Sequence, residues 1–174
     1  TILIYDSPSL QKKAIEIFVK NEFEKPKKIK LEKIKNKKIK IGYYSSDFHN
    51  HATMYLMANL FELHDKNKFE TYAYSFGPDD GSKIRKRVMK TFDKFFDVKS
   101  KTTKEIVQHS RELNLDIAVD LKGFTNNNRF DLFIERCAPI QISYLGFPGT
   151  TSSDCIDYLI ACLLYTSPSP RDDR

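Results

Sequence analysis

The sequence contains no tryptophan, only six glycines and only three cysteines among its 174 residues. The cysteines, Cys137, Cys155 and Cys162, are odd in number and fit no CxxC or Cys/His spacing. That excludes a disulfide framework and a structural zinc site, and it points to free thiols in a reducing, cytoplasmic compartment. No apolar run approaches the roughly 18 residues needed to span a bilayer. No charged start leads into an apolar core with a small-residue cleavage site, so no secretory signal is visible. No GxGxxG follows the first strand-like run, so the standard dinucleotide fingerprint is missing. The chain opens on Thr1 rather than Met, and the native N-terminus is expected upstream.

What is present is enough for one α/β domain with a real core. The net charge of +6 is local. Residues 25–40, "KPKKIKLEKIKNKKIK", set nine lysines against Glu32 alone, so the rest of the chain is slightly acidic. A uniformly basic nucleic-acid face is not supported. The lysine run has no arginine and no aromatic residue to stack on a base. It reads as a solvated linker, with docking of an acidic partner or nucleic acid as the other use.

The period of the apolar residues changes along the chain. Residues 8–23 place Leu10, Ala14, Ile17 and Phe18 at helical spacing, with Pro8 in the first turn and Ser7 as cap. From Ile39 onward strand-like and helix-like runs alternate. "IKIGYYS", "FETYAYSF", "KFFDV", "DIAVDLKGF", "APIQISYLGF" and "DYLIA" read as strands. The intervening runs read as helices, one with Met54, Met57, Ala58 and Phe61 on a single face. Ser82 and Thr102 or Thr103 are the expected caps of two more. Such alternation predicts βαβ units, a Rossmann-like parallel sheet with helices on both faces. Ligands of open sheets bind at the C-terminal strand ends. The segments "SSDFHNH", "LKGFTNNNR" and "LGFPGTTS" each follow a strand, so they are expected on one edge.

The densest polar cluster is "SSDFHNHAT". Asp47, His49 and His51 are spaced so that an extended segment would turn them to one face, as metal ligands require, but no distant motif completes a shell. Ser45 and Ser46 with Asp47 and His51 have the residue types of a hydrolase triad, without the GxSxG elbow that exposes a nucleophile. Acid–base chemistry by Asp47 or His51 is a third reading. A fourth is structural: Asp47 and Asn50 cap the following helix, and the histidines are solvated.

"IGYYSSDFHNHAT", "FGPDDGS", "DLKGFTNNNR" and "APIQISYLGFPGTTSSDCIDYLI", in this order, resemble the catalytic region of the O-linked N-acetylglucosamine transferases, glycosyltransferase family 41, which includes the plant SPINDLY-type proteins. The likeness covers roughly residues 39–161. It implies the N-terminal lobe of a GT-B fold, in which two Rossmann-like lobes face across a cleft. It also implies inverting transfer of N-acetylglucosamine from UDP-GlcNAc to Ser or Thr of protein acceptors, with no metal or other cofactor. Upstream tetratricopeptide repeats are implied, with residues 8–23 as the joining helix.

By position in the family's motifs, His51 and Asp47 are implied as the catalytic pair. Asn50, Thr53, Phe124 (where many members have Tyr), Arg129, Leu145, Gly146, Pro148 and Gly149 are implied to line the sugar and acceptor sites. His49 stands where many relatives have Gly and is given no role. An upstream histidine of animal members has no counterpart in residues 1–38. The donor's own phosphate remains the other candidate base. Donors such as GDP-fucose, or glucose transferred to Asn, remain open, as does a non-catalytic domain that uses the lysine run.

The expected organisation is a helix over 1–24, a lysine-rich linker over 25–38, an incomplete catalytic lobe over 39–161 and a non-native tail over 162–174. A lobe without its partner is expected to be inactive alone.

Overall fold

The computed structural model describes residues 7–23, 29, 31–32, 35–147 and 149–161. Pro148, Cys162 and the expected tail lie outside these residues, as do residues 25–28, 30, 33 and 34 of the lysine run.

The first element is α1 (Pro8–Glu22), which starts as the sequence predicts, with the Ser7 hydroxyl accepting from Leu10 N and Pro8 in the first turn. Its buried stripe differs from the expected one. Ile15 and Val19 are buried, while Leu10 and Ile17 are more than half exposed. A single helix docking on a domain edge buries only a narrow i, i+4 stripe, and its partner selects which of two overlapping apolar stripes that is. At the end of the helix Phe18 and the C-cap residue Phe23 meet Phe124 at ring-centroid distances of 5.3 and 6.2 Å.

The remainder alternates as β1 (Ile39–Ser45), α2 (Ala52–Glu62), β2 (Phe69–Ser75), α3 (Lys83–Met89), β3 (Lys94–Asp97), α4 (Thr103–Glu112), β4 (Ile117–Asp120), α5 (Asp131–Ile134), β5 (Ile140–Tyr144) and β6 (Tyr158–Ile160). All pairings are parallel, in the order β3-β2-β1-β4-β5-β6. The chain turns back at β3 and crosses over to β4. The sheet therefore has a topological switch point between β1 and β4, where open α/β sheets leave a ligand crevice.

Two cores cover the two faces. Met54, Met57 and Phe61 of α2 and Ile84 and Val88 of α3 pack with Tyr43 on one. Ile106 and Val107 of α4 and Leu132 and Phe133 of α5 pack with Tyr44 on the other. This double covering explains why the inner strands bury successive residues instead of alternating. Tyr44 is fully buried, stacks on Tyr74 at 4.5 Å and satisfies its hydroxyl on Ser110 Oγ at 2.7 Å. Thr102, not Thr103, caps α4, in a capping box with Glu105. Tyr158, Leu159 and Ile160 leave the β6 edge exposed. Among the described residues no helix is long and apolar enough to cross a membrane.

The end of the lysine run is anchored to the sheet. Lys40 Nζ donates to Leu113 O at 3.0 Å, and Asn36 Nδ2 donates to Asp116 Oδ2 at 2.8 Å.

Candidate active site

The loop after β1 is held by its neighbours before it can hold anything else. Gly77, just past β2, lies so close to it that a Cβ there would sit 1.8 Å from Ser46 O. Arg85 reaches from α3, buried, and donates from Nη1 to Phe48 O at 2.7 Å. An Asp79 oxygen lies 2.9 Å from Arg85 Nε, near enough for ion pairing without the alignment of a hydrogen bond. Asp80 accepts from Asn50 N at 2.8 Å and from Ser82 N at 3.1 Å. The Asn50 N–H, the strongest of several donors, holds the Asp80 carboxyl down at about 2. "FGPDDGS" therefore braces "SSDFHNHAT".

Within that brace the sequence-derived residues come together. Asp47 is buried, and its two oxygens accept from Lys122 Nζ at 2.9 and 2.8 Å. Ser46 Oγ donates to Asp47 Oδ1 at 3.2 Å. His51 Nδ1 lies 3.6 Å from Asp47 Oδ2 and accepts from Thr53 N at 3.2 Å. The helix cap is thus His51, and the expectation that Asp47 and Asn50 cap α2 is corrected: the buried ammonium of Lys122 claims the Asp47 carboxylate, and Asn50 Oδ1 accepts from the Tyr55 hydroxyl at 2.9 Å. His49 stacks edge-on to His51 at 5.6 Å. Among the described residues no three His, Cys, Asp or Glu side chains converge on one point as metal ligands would.

Lys122 belongs to the loop after β4, so the Asp47–Lys122 pair bridges the switch point. The same turn carries Asp120, buried, which accepts from Lys122 N at 2.8 Å and Gly123 N at 3.0 Å. Burial pushes the Asp120 carboxyl up to about 6, against the pull of those two N–H groups and of the Lys122 charge. Asp120 therefore holds its proton more firmly in the folded chain than in the unfolded one between about pH 4 and pH 6. The Asp120 contribution is fully present below the unfolded value and is lost as pH rises through the folded one. Urea midpoints taken across this range should show Asp120→Asn gaining on the parent chain as pH rises. A pH-independent difference between the two would contradict the assignment.

The loop after β5 closes the third side. Leu145 and Gly146 have positive φ (55° and 62°), and a Cβ on Gly146 would sit 2.4 Å from Leu121 O, so this loop lies directly on the end of β4. Gly149 packs against the Phe147 ring, which itself meets Phe124 at 5.6 Å. Phe124 sits in an aromatic cluster with Phe18, Phe23, Phe130 and Phe147 rather than against Asp47 or His51. Arg129 spends its guanidinium on the start of α4, donating to Lys101 O and Thr103 Oγ1, each at 2.9 Å. Pro148 lies outside the described residues.

Lys122, Asp120, Arg85 and Asp80 were not singled out from the sequence. The signal for Lys122 and Asp120 was a pair of charges in "DLKGF" at the C-terminal end of an apolar strand, where a solvated charge is out of place.

The model of glycosyl transferase family 41 matches residues 7–173. An Arabidopsis thaliana protein named as a probable UDP-N-acetylglucosamine–peptide N-acetylglucosaminyltransferase SEC is 36% identical over 124 residues, covering 71% of this chain and 13% of that protein. A Caenorhabditis elegans UDP-N-acetylglucosamine–peptide N-acetylglucosaminyltransferase is 33% identical over 136 residues, covering 75% of this chain and 11% of its own length. The solved structure of a Thermobaculum terrenum O-GlcNAc transferase mutant superposes with a TM-score of 0.83 at 26% identity, covering 90% of this chain and 30% of that one. The chain spans a small part of each relative.

Proposed function

The chain belongs to glycosyl transferase family 41, and from that premise we propose that it is the first lobe of an inverting protein O-glycosyltransferase. The reaction moves N-acetylglucosamine from UDP-GlcNAc to Ser or Thr of a protein. The acceptor oxygen bonds to the anomeric carbon as the bond from that carbon to the diphosphate oxygen breaks. UDP leaves, and the hydroxyl proton passes to a base, for which Asp47 and the donor phosphate are the candidates.

The observation that carries this reading is the meeting of three strand-end loops at the switch point, with Asp47, Lys122 and His51 between them. Asn50, Leu145, Gly146 and Gly149 belong to the same loops, Thr53 to the first turn of α2, and these are the proposed substrate contacts, with Pro148 and, farther out, Phe124 and Arg129. The lobe pairs with a second one in a longer protein, so the 174-residue chain alone is expected to be inactive.

The test is a transfer assay on the longer protein with UDP-GlcNAc, GDP-fucose and UDP-glucose, read by mass spectrometry of Ser-, Thr- and Asn-containing acceptor peptides. Addition of N-acetylhexosamine to Ser or Thr is expected, with His51→Ala slower by about 10²-fold, the scale of losing one positioned hydrogen-bond donor. A fucose or hexose product would keep the site and change the donor. No product from any donor would sink the reading.

A further inference from the structure

His51 is built as a helix cap. Its Nδ1 accepts the Thr53 N–H, so in the neutral ring the proton resides on Nε2. The side chain is 42% exposed, and no group among the described residues bonds Nε2. The one place where this ring can take a second proton is Nδ1, which faces Asp47 Oδ2 at 3.6 Å. A bare carboxylate at that distance would recruit the proton and pull Nδ1 away from Thr53. The carboxylate is not bare: Lys122 Nζ touches both of its oxygens, with Lys122 and Asp47 both buried.

We propose that Lys122 is the positioning residue of this site: by neutralising Asp47 it keeps His51 a neutral imidazole, Nδ1 capping α2 and Nε2–H free to donate to a substrate oxygen. The proposal rests on the function above only in supplying that substrate. The charge balance stands on the contacts themselves.

The charged and titratable groups around His51 can be named element by element. Asp47 and His49 come from its own loop. Lys122 comes from the loop after β4 and acts through Asp47. Asp80 comes from the turn after β2 and faces His49 and Asn50 N. α2 presents the Thr53 hydroxyl, 3.1 Å from Nδ1, and no charge. Of these, the Asp47–Lys122 pair is the one in a position to set the state of Nδ1.

Long-range proton–nitrogen NMR on the chain with labelled histidine rings reads this directly, the His51 signals being assigned through His51→Gln. At pH 7 the parent should show the His51 proton on Nε2 and Nδ1 bare. In Lys122→Met the ratio of doubly to singly protonated His51 should rise about tenfold, the effect of an opposite charge left uncompensated nearby. In Asp47→Asn the ratio should fall instead, because the ammonium remains. The double variant should return towards the parent. A proton on Nδ1 in the parent, or a Lys122→Met ratio within about twofold of the parent, would overturn the proposal. If Lys122→Met does not fold, Asp47→Asn decides it, and a ratio that rises or stays put overturns it. Absence of sugar transfer would sink the proposed function and leave this result standing; an active enzyme with an unresponsive His51 would do the reverse.

Discussion

Gly77→Ala is expected to cost at least about 4 kcal/mol, in the range reached only when a substitution has no room at all. The added Cβ would lie 1.8 Å from Ser46 O and 2.7 Å from Ser46 C. The obstructing atoms are backbone, so no rotamer change relieves the contact. The loop after β1 would have to move, taking Asp47 off Lys122 and Phe48 O off Arg85. Chemical unfolding of the chain should show the loss. Gly81→Ala is the matched control in the same turn: nothing lies within 4 Å of its added Cβ, and only its φ of +62° resists. That strain is worth roughly 1–2 kcal/mol. Equal unfolding midpoints for the two variants would contradict the packing described.

Asp47→Ala should cost about 3–5 kcal/mol, because it leaves the Lys122 ammonium buried with its carboxylate gone. Both partners are largely withdrawn from water, at 6% and 5% exposure, so the attraction is little screened and the orphaned charge is poorly solvated. An exposed pair behaves differently. Arg87 and Glu62 are joined by two bonds of 2.7 Å, yet both are open to solvent, and Glu62→Ala is expected to change stability far less than Asp47→Ala does. Urea midpoints of the two variants compare the cases directly. A small effect at Asp47 would mean that water or a shifted side chain takes over its role. Removing both charged groups, as in Asp47→Leu/Lys122→Leu, should recover much of the loss, since desolvation offsets a large part of the attraction in such pairs.

The two pairs also show why net charge along the sequence carried little. The lysine run dominates the +6 of the chain. The charge that matters to the site is one lysine in "DLKGF", which composition does not distinguish from the rest.

Periodicity was enough for the layered architecture. Runs of β-branched and aromatic residues separated by helical stretches specify βαβ units, and right-handed crossovers leave few ways to assemble them. All six strands lie where those runs are, and the three polar segments do gather on one edge. The motif-bearing residues Asp47, Asn50, His51 and Thr53 were equally visible, because they are adjacent in the chain and local structure keeps them adjacent in space.

Three features were decided by tertiary structure alone. Which stripe of α1 is buried, Ile15 and Val19 rather than Leu10 and Ile17, depends on how the helix docks on the rest of the domain. The cap of α2 fell to His51 because Asp47 was already taken. Asp47 was taken by Lys122, 75 residues away in the chain, because β4 lies beside β1 in the sheet. Hydrophobic period is a property of one segment and survives in the sequence. A hydrogen bond or ion pair acts over about 3 Å, so its partner is fixed only when strand order and register bring two loops together.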